Sequence, residues 1–316
     1  MNLILDGARF VVDNATFVRI NSLAIEKLAD RFEMKDAQHW LANLPFHLSD
    51  EDMLSFLLLN IGINFSFWGT PLWTITYQGK EYSRTFGLLY ALKRALEEEG
   101  MPIFDWHFLK GITHEQFAHI LRGNTEIPLF KERFAIVHEL ANIMVTKYDA
   151  KVSNLLTASD YDVSILLETI VHDFPSFNDM SPYKGKTITF HKRAQVFIGD
   201  VDELLKLKTG RSLKNSDELT ALPDYRLPQI LRHLGVLEYV PDLAELVDNE
   251  KEITHNSEME VEIRAATIWA IEEMKGQLRK KFPQITTTLL SSYFWLMSKS
   301  VSDSIKPHHL TRSTAY

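Results

Sequence analysis

Cysteine is absent from all 316 residues. Its absence excludes disulfides, thiolate catalysis and cysteine-ligated zinc or iron–sulfur centres, and it fits a reducing compartment, so a cytoplasmic protein is expected. Glycine and proline are sparse, at 13 and 11 residues, and nowhere gather into a flexible linker or low-complexity tract. No apolar run is long enough to cross a bilayer: the most apolar stretch, MLSFLLLNIGINFSFW, is broken by Asn60, Gly62 and Asn64. The basic, apolar and small-residue succession of a secretory signal is missing from the N-terminus, and no membrane partner is expected. Basic runs are missing too: 34 Lys and Arg stand against 42 Asp and Glu, a formal net charge of −8. A protein that grips duplex nucleic acid needs a basic stripe, because neutralising phosphates supplies most of its non-specific affinity. A long polynucleotide partner is therefore not expected, whereas a single nucleotide, which needs one local anion site, remains admissible.

Several catalytic signatures are missing as well. Neither GxGxxG nor GxSxG occurs, and KGKT at Lys184–Thr187 has Met180 where a phosphate loop needs its first glycine. In THEQFAH, His114 and His119 are five residues apart, not four, so they point to different helix faces and cannot share a zinc ion. No cofactor and no metal are expected. The dipeptide His172-Asp173, with His138, leaves one alternative open, a metal-dependent HD-type phosphohydrolase.

What is present is helical. Apolar periodicity predicts helices over Ser22–Phe32, Asp50–Leu59, Gly87–Glu99, Leu129–Lys147, Val163–Val171, Arg193–Leu207, Arg226–Leu234 and Val261–Lys280. PLWTITYQGKEYSR alternates apolar and polar residues around Gln78-Gly79, the mark of a small hairpin, and TITFHK reads as a second strand after a turn at Tyr183–Lys186. The expected fold is mainly α with a small β element. At 316 residues the chain has room for one large domain or two intimate subdomains, and no convincing domain boundary appears.

Three stretches hold candidate chemistry. In LPDYRLPQILRHLGV, Leu227, Ile230, Leu231 and Leu234 form one apolar helical face, and Gly235 with Val236 ends the helix. Pro228 is tolerable only in the first turn, which puts Asp224 at or near the N-cap, its carboxylate at the positive end of the helix. In FHKRAQVFIGDVDELLKL, Ala194, Phe197, Ile198, Val201 and Leu205 form a core stripe. Arg193 and Asp200, seven residues apart, share one side of that helix off the stripe. Lys192 and Arg193 sit where cations oppose the helix dipole. That placement suits either a docked anion such as a phosphate or a basic pair and a carboxylate on a solvated face. NFSFW, Asn64–Trp68, concentrates three aromatics that serve either as core or as a stacking surface for a heterocyclic base.

Taken in order, INFSFW, YQGKEYS, LKRALEEEG, FPSFND, FHKRAQVFIGD, DYRLPQILRHLGVLEY and EVEIRAATIWAIE resemble the queuosine salvage protein family, collinearly from about residue 60 to the C-terminus. The resemblance implies a single queuosine-salvage domain over residues 1–316 with a helical fold like that of helix-hairpin-helix DNA glycosylases: two intimate helical subdomains around one cleft, and an Asp at a helix start that supports cleavage of an N-glycosidic bond. It implies hydrolysis of queuosine 5′-phosphate to release queuine, with a small modified nucleotide as the partner. On that footing Asp224 is the catalytic carboxylate, and Asp200 meets the cationic side chain of the base or supports Asp224. Lys192 and Arg193 bind the 5′-phosphate, Trp68 and Phe86 are stacking walls, and Asn64, Tyr225 and Trp295 line the substrate site. One departure stands out: LLSSYFW has Ser291 or Ser292 where the family has an acidic residue. The alternative from another class is a non-catalytic binding protein for a modified nucleoside.

Overall fold

The computed structural model describes residues 2–34, 39–301 and 304–316, apart from the side chain of Asn43. The chain forms two compact units, the first made of Met1–Leu44, Asp179–Arg312 and Tyr316, the second of Pro45–Asn178 and Ser313–Ala315. The first unit opens with helix α1 (Leu3–Asp13), strand β1 (Val18–Ile20) and helix α2 (Ser22–Arg31). The second unit contributes α3 (Asp50–Gly62), β2 (Thr74–Tyr77), β3 (Lys80–Ser83), α4 (Arg84–Glu97), α5 (Trp106–Lys110), α6 (His114–Ile120), α7 (Phe130–Lys147), α8 (Val152–Ala158) and α9 (Val163–Asp173). The chain then returns to the first unit through β4 (Met180–Tyr183), β5 (Lys186–Thr189), α10 (Lys192–Thr209), α11 (Arg226–His233), β6 (Leu237–Tyr239), α12 (Pro241–Asp248), α13 (Glu258–Leu278) and α14 (Thr287–Ser300). The fold is mainly α, with β1–β6, β2–β3 and β4–β5 as small antiparallel pairs. Among the described residues no helix is long and apolar enough to cross a membrane.

All eight helices expected from periodicity are present within a few residues. Both hairpins turn on a left-handed pair, Gln78-Gly79 (φ 47° and 75°) and Lys184-Gly185 (φ 44° and 80°), the backbone that matches strand twist in a two-residue turn. The strand TITFHK is shorter than its pattern, because Lys186–Thr189 pairs with Met180–Tyr183 and His191 already leads into α10. Helices α1, α5, α6, α8, α12 and α14 lie outside the expected ranges, four of them being eight residues or shorter. The sequence of α14, TTLLSSYFWLMSKS, has no charged face to set off its apolar one; Thr287, Ser291, Ser292 and Ser298 are buried along with Leu290 and Phe294.

In the second unit, Arg133 has no exposed surface and donates to the carbonyls of Ile63, Phe65, Ser66 and Pro128. Its guanidinium also lies 4.2 and 4.8 Å from the ring centres of Phe65 and Phe67. Phe65 and Phe67 are therefore core, while Trp68 is half-buried.

Helix α13 is the axis of the first unit, packing against α1, α2, β1, β4, β6, α11 and α14. Being covered on several sides, it buries four charged residues, Glu260, Glu262, Arg264 and Lys275. Glu262 accepts the backbone N–H groups of Thr16, Phe17 and Val18 at 3.0, 2.6 and 3.1 Å and the Tyr183 hydroxyl at 2.9 Å. These bonds pin the turn after α1 and the end of β4 to the same helix. Glu262→Gln would place an amide donor against N–H groups that need an acceptor, so it should cost about 2 kcal/mol or more of stability, read from urea unfolding.

Candidate active site

The segment leading to Asp224 is tied down before it arrives. Gln195 of α10 accepts the Thr220 N–H at 2.8 Å and donates to the Thr220 hydroxyl and the Phe190 carbonyl, both at 3.0 Å. Ser291 of α14 accepts the Leu222 N–H at 3.3 Å. Asp224 Oδ1 then accepts the N–H groups of Arg226 and Leu227, both at 2.8 Å, which satisfies two of the orphan donors of the first turn of α11. Pro228 is the third residue of that helix, where an N–H would have no helical partner. At the far end the Val236 N–H donates to the Leu231 carbonyl and the Gly235 N–H to the Arg232 carbonyl, with Gly235 left-handed at φ 72°. Since Leu227, Ile230 and Leu231 are buried, the helix cannot rotate, and the position of Asp224 is fixed. Asp224 is half-buried, and its Oδ2 takes no hydrogen bond from any described residue.

Lys192 begins α10, after His191 in the left-handed conformation (φ 47°). The Asp179 carbonyl accepts the N–H groups of Phe190 and His191 at 3.0 and 3.1 Å, and Asp179 Oδ2 accepts that of Lys192 at 3.2 Å. Burial depresses the pKa of Lys192; Arg193 and Arg264 push the same way, and Asp224 and Asp179 oppose them. Its ammonium also acts on Asp200, so one cation serves both carboxylates singled out in the sequence.

Asp200 accepts the indole N–H of Trp40 at 2.8 Å on Oδ1, where His39 Nε2 lies 3.5 Å away; its Oδ2 is buried without a partner. Burial raises the Asp200 pKa to about 8, with Trp40 and Lys192 pulling the other way. Burial also lowers His39 to about 4, helped by Lys206. The two groups therefore face each other in their neutral forms at pH 7. Arg193 and Asp200 are each 2% exposed, which overturns the solvated-face alternative for this helix. Their shared side is covered by protein, at Asp200 by His39 and Trp40.

Tyr225 is buried, its ring centre 4.4 Å from that of His308. Trp295 is half-buried on α14, with the Lys299 ammonium 4.6 Å above its ring. Asn64, Trp68 and Phe86 belong to the second unit. There Asn64 accepts the Thr85 hydroxyl at 3.2 Å, Trp68 is half-buried and Phe86 is exposed. The structure thus gathers Asp224, Lys192 and Asp200 in the first unit.

The dipeptide His172-Asp173 serves another purpose. The Asp173 carboxylate takes the ammonium of Lys147, the hydroxyl of Tyr148 and the neighbouring His172, while His138 packs edge-on against Phe134. Among the described residues no group of three or more His, Asp or Glu side chains is arranged to hold a metal ion.

Sequence reasoning missed His39 and Trp40 beside Asp200, and also Asp179, Glu260, Arg264, His309 and Tyr316. One signal was there to find, since Glu260, Glu262 and Arg264 alternate with Val261, Ile263 and Ala265 ahead of an apolar run, where buried charges must be paired. Nothing local could have paired Arg264 with Asp179.

A family model described as queuosine salvage protein matches residues 44–316. A protein of Sphaerobacter thermophilus named queuosine 5′-phosphate N-glycosylase/hydrolase is 33% identical over 315 residues, covering 99% of this chain and 97% of that protein. A Bos taurus protein of the same name is 30% identical, with 98% of each chain covered, and a Mus musculus one 29% identical with the same coverage.

The raised pKa of Asp200 has a consequence for stability. Between its ordinary value near 4 and its folded value of about 8 the native state holds a proton that the unfolded chain has lost, so this group's contribution falls as pH rises through that window. Asp200→Asn keeps the oxygen that Trp40 needs and removes the ionisation. It should raise the melting temperature relative to wild type at pH 8, with the gain shrinking toward pH 4. A gain independent of pH would show that Asp200 ionises normally.

Proposed function

Because the chain belongs to the queuosine salvage protein family, we propose that it hydrolyses the N-glycosidic bond of queuosine 5′-phosphate and releases queuine, with Asp224 as the carboxylate at C1′. The observation that carries the assignment is the divided state of that carboxylate: Oδ1 is committed to the start of α11, and Oδ2 is left without a protein donor in a half-buried setting.

Breaking a ribose–base bond builds positive charge on C1′ and the ring oxygen while the base departs with the bonding electrons. A carboxylate fixed in place before the reaction stabilises that charge, or attacks it, with no reorganisation at the moment it forms. The two N–H bonds to Oδ1 and the buried face of α11 provide this fixity. Lys192 is the cation for the 5′-phosphate, with Arg193 behind it in α10; a phosphate dianion beside Lys192 would offset the burial that depresses its pKa. Asp200 meets the cationic side chain of the base, giving up its proton as it does so, or supports Asp224 through Lys192, on which both carboxylates act. A 7-deazapurine lacks the basic N7 that assists ordinary purine hydrolysis, so contacts to its other polar groups matter more.

In fold terms, α10 and α11 are the counterparts of the helices that bear the catalytic site in helix-hairpin-helix DNA glycosylases. The mainly helical class and an Asp at the start of α11, downstream of α10, support that reading.

The test is hydrolysis of queuosine 5′-phosphate, queuosine and guanosine 5′-phosphate, followed by chromatography of the free base. Wild type should release base from the first. Asp224→Asn keeps the capping oxygen and the fold but should lose roughly 100-fold or more in kcat. Full activity in Asp224→Asn would remove it from the mechanism. Tight binding without turnover in wild type would favour the nucleoside-binding alternative.

A further inference from the structure

Arg264 has no exposed surface, and on the covered helix α13 an unpaired guanidinium would cost several kcal/mol. Asp179 takes it in two-point fashion, Oδ1 at 3.0 Å and Oδ2 at 2.5 Å, and Glu260 Oε1 lies 3.7 Å away. The rings of Phe190 and Tyr316 flank it, with centres 3.9 and 4.8 Å from the guanidinium carbon. Two carboxylates are more than one cation needs for charge balance, and what each does with its remaining lone pairs is informative.

Asp179 gives its remaining capacity to the Lys192 N–H, and its carbonyl to Phe190 and His191. That holds His191 in a backbone conformation a residue with a Cβ adopts only at some cost, just ahead of Lys192. Glu260 accepts the Tyr316 hydroxyl at 2.8 Å. With its own hydrogen given to Glu260, the Tyr316 oxygen is left to accept from His309 Nε2, 3.3 Å away. His309 is thereby fixed as the tautomer with its proton on Nε2, and its Nδ1 is buried without a partner. The stretch carrying His309 is pinned to α11 at two points: Gln229 donates to the Lys306 carbonyl at 2.7 Å, and His308 packs on Tyr225, the residue after Asp224. Asp224 acts electrostatically on both Lys192 and His309, favouring the protonated form of each against burial.

We propose that Arg264, with Asp179, Glu260 and Tyr316, is the positioning device of the active site, holding Lys192 from one end and His309 from the other in place beside Asp224. The proposal rests on the glycosidase reading and extends it. The four residues act at second hand, by fixing Lys192, which meets the 5′-phosphate in that reading, and His309, on which Asp224 acts; reaction rates respond to displacements of an ångström or less at such groups.

The discriminating variant is Tyr316→Phe, which removes one hydroxyl and no charge. Arg264→Lys, which keeps the charge and loses the two-point fork, accompanies it. Glu262→Gln serves as control: it lies on the same helix but belongs to the lock on Thr16–Val18, so it should lower the melting temperature and leave kcat of the folded enzyme alone. Tyr316→Phe should lower kcat about 10-fold or more with KM within about twofold of wild type, at a melting temperature no lower than that of Glu262→Gln. An unchanged kcat in Tyr316→Phe, or a raised KM at unchanged kcat, overturns the proposal; if Arg264→Lys does not fold, Tyr316→Phe decides alone. A wild type that releases no base from queuosine 5′-phosphate fails at the glycosidase reading, and the positioning role falls with it. An active wild type with a fully active Tyr316→Phe fails at the positioning role only.

Discussion

Burying Arg264 is the constraint from which the arrangement of the first unit follows. A guanidinium with no exposed surface must be met where it lies, by groups that satisfy its planar fork as well as its charge. Asp179 does this from 85 residues away in sequence, at the start of the β4–β5 hairpin. The contact joins α13 to the junction where the chain turns from β5 into α10. Because the same carboxylate also takes the Lys192 N–H, the first residue of α10 is placed by the ion pair, not by helix propensity.

Four carboxylates of this unit, Glu262, Asp179, Asp200 and Asp224, show how one functional group is given different duties by its surroundings. Glu262 is buried and surrounded by donors, so it stays a fastener. Asp179 is neutralised by Arg264 and also takes the Lys192 N–H, so it too serves to hold the chain. Asp200 is buried with too few donors, and its pKa near 8 keeps it mostly protonated at neutral pH. Asp224 alone combines partial exposure, two N–H bonds to one oxygen and a free second oxygen, with a lysine close enough to feel it. Stabilising a developing oxocarbenium ion calls for a carboxylate whose position is set but whose lone pairs are not all spent. Among these four, only Asp224 meets both conditions.

How much of this was legible in the sequence follows from the range over which each feature is encoded. Asp224 and its helix could be read because the signals that mark them lie within fifteen residues: the Asp cap, Pro228 in the first turn, the i, i+3, i+4 apolar face and the Gly235 stop. The burial of Arg193 and Asp200 could not. A spacing of seven says that two residues share a helix side, but not what covers that side; here it is His39 and Trp40, about 160 positions earlier than Asp200. The Asp179–Arg264 pair was invisible for the same reason. Helix α14 escaped notice because serine and threonine fill buried positions in it, which removes the polar–apolar contrast on which periodicity depends.

Those buried serines bear on the departure in LLSSYFW. Ser291, 1% exposed, accepts the Leu222 N–H and so helps hold the segment that delivers Asp224. A carboxylate at that position could accept the same N–H, but it would bury another negative charge in a unit whose site already sets Asp224 and Asp200 around a single lysine. A further anion would compete for Lys192 and raise the cost of ionising Asp224. The hydroxyl supplies the acceptor without the charge. Serine at 291 therefore preserves the hold on the segment that carries Asp224 without adding a charge beside it.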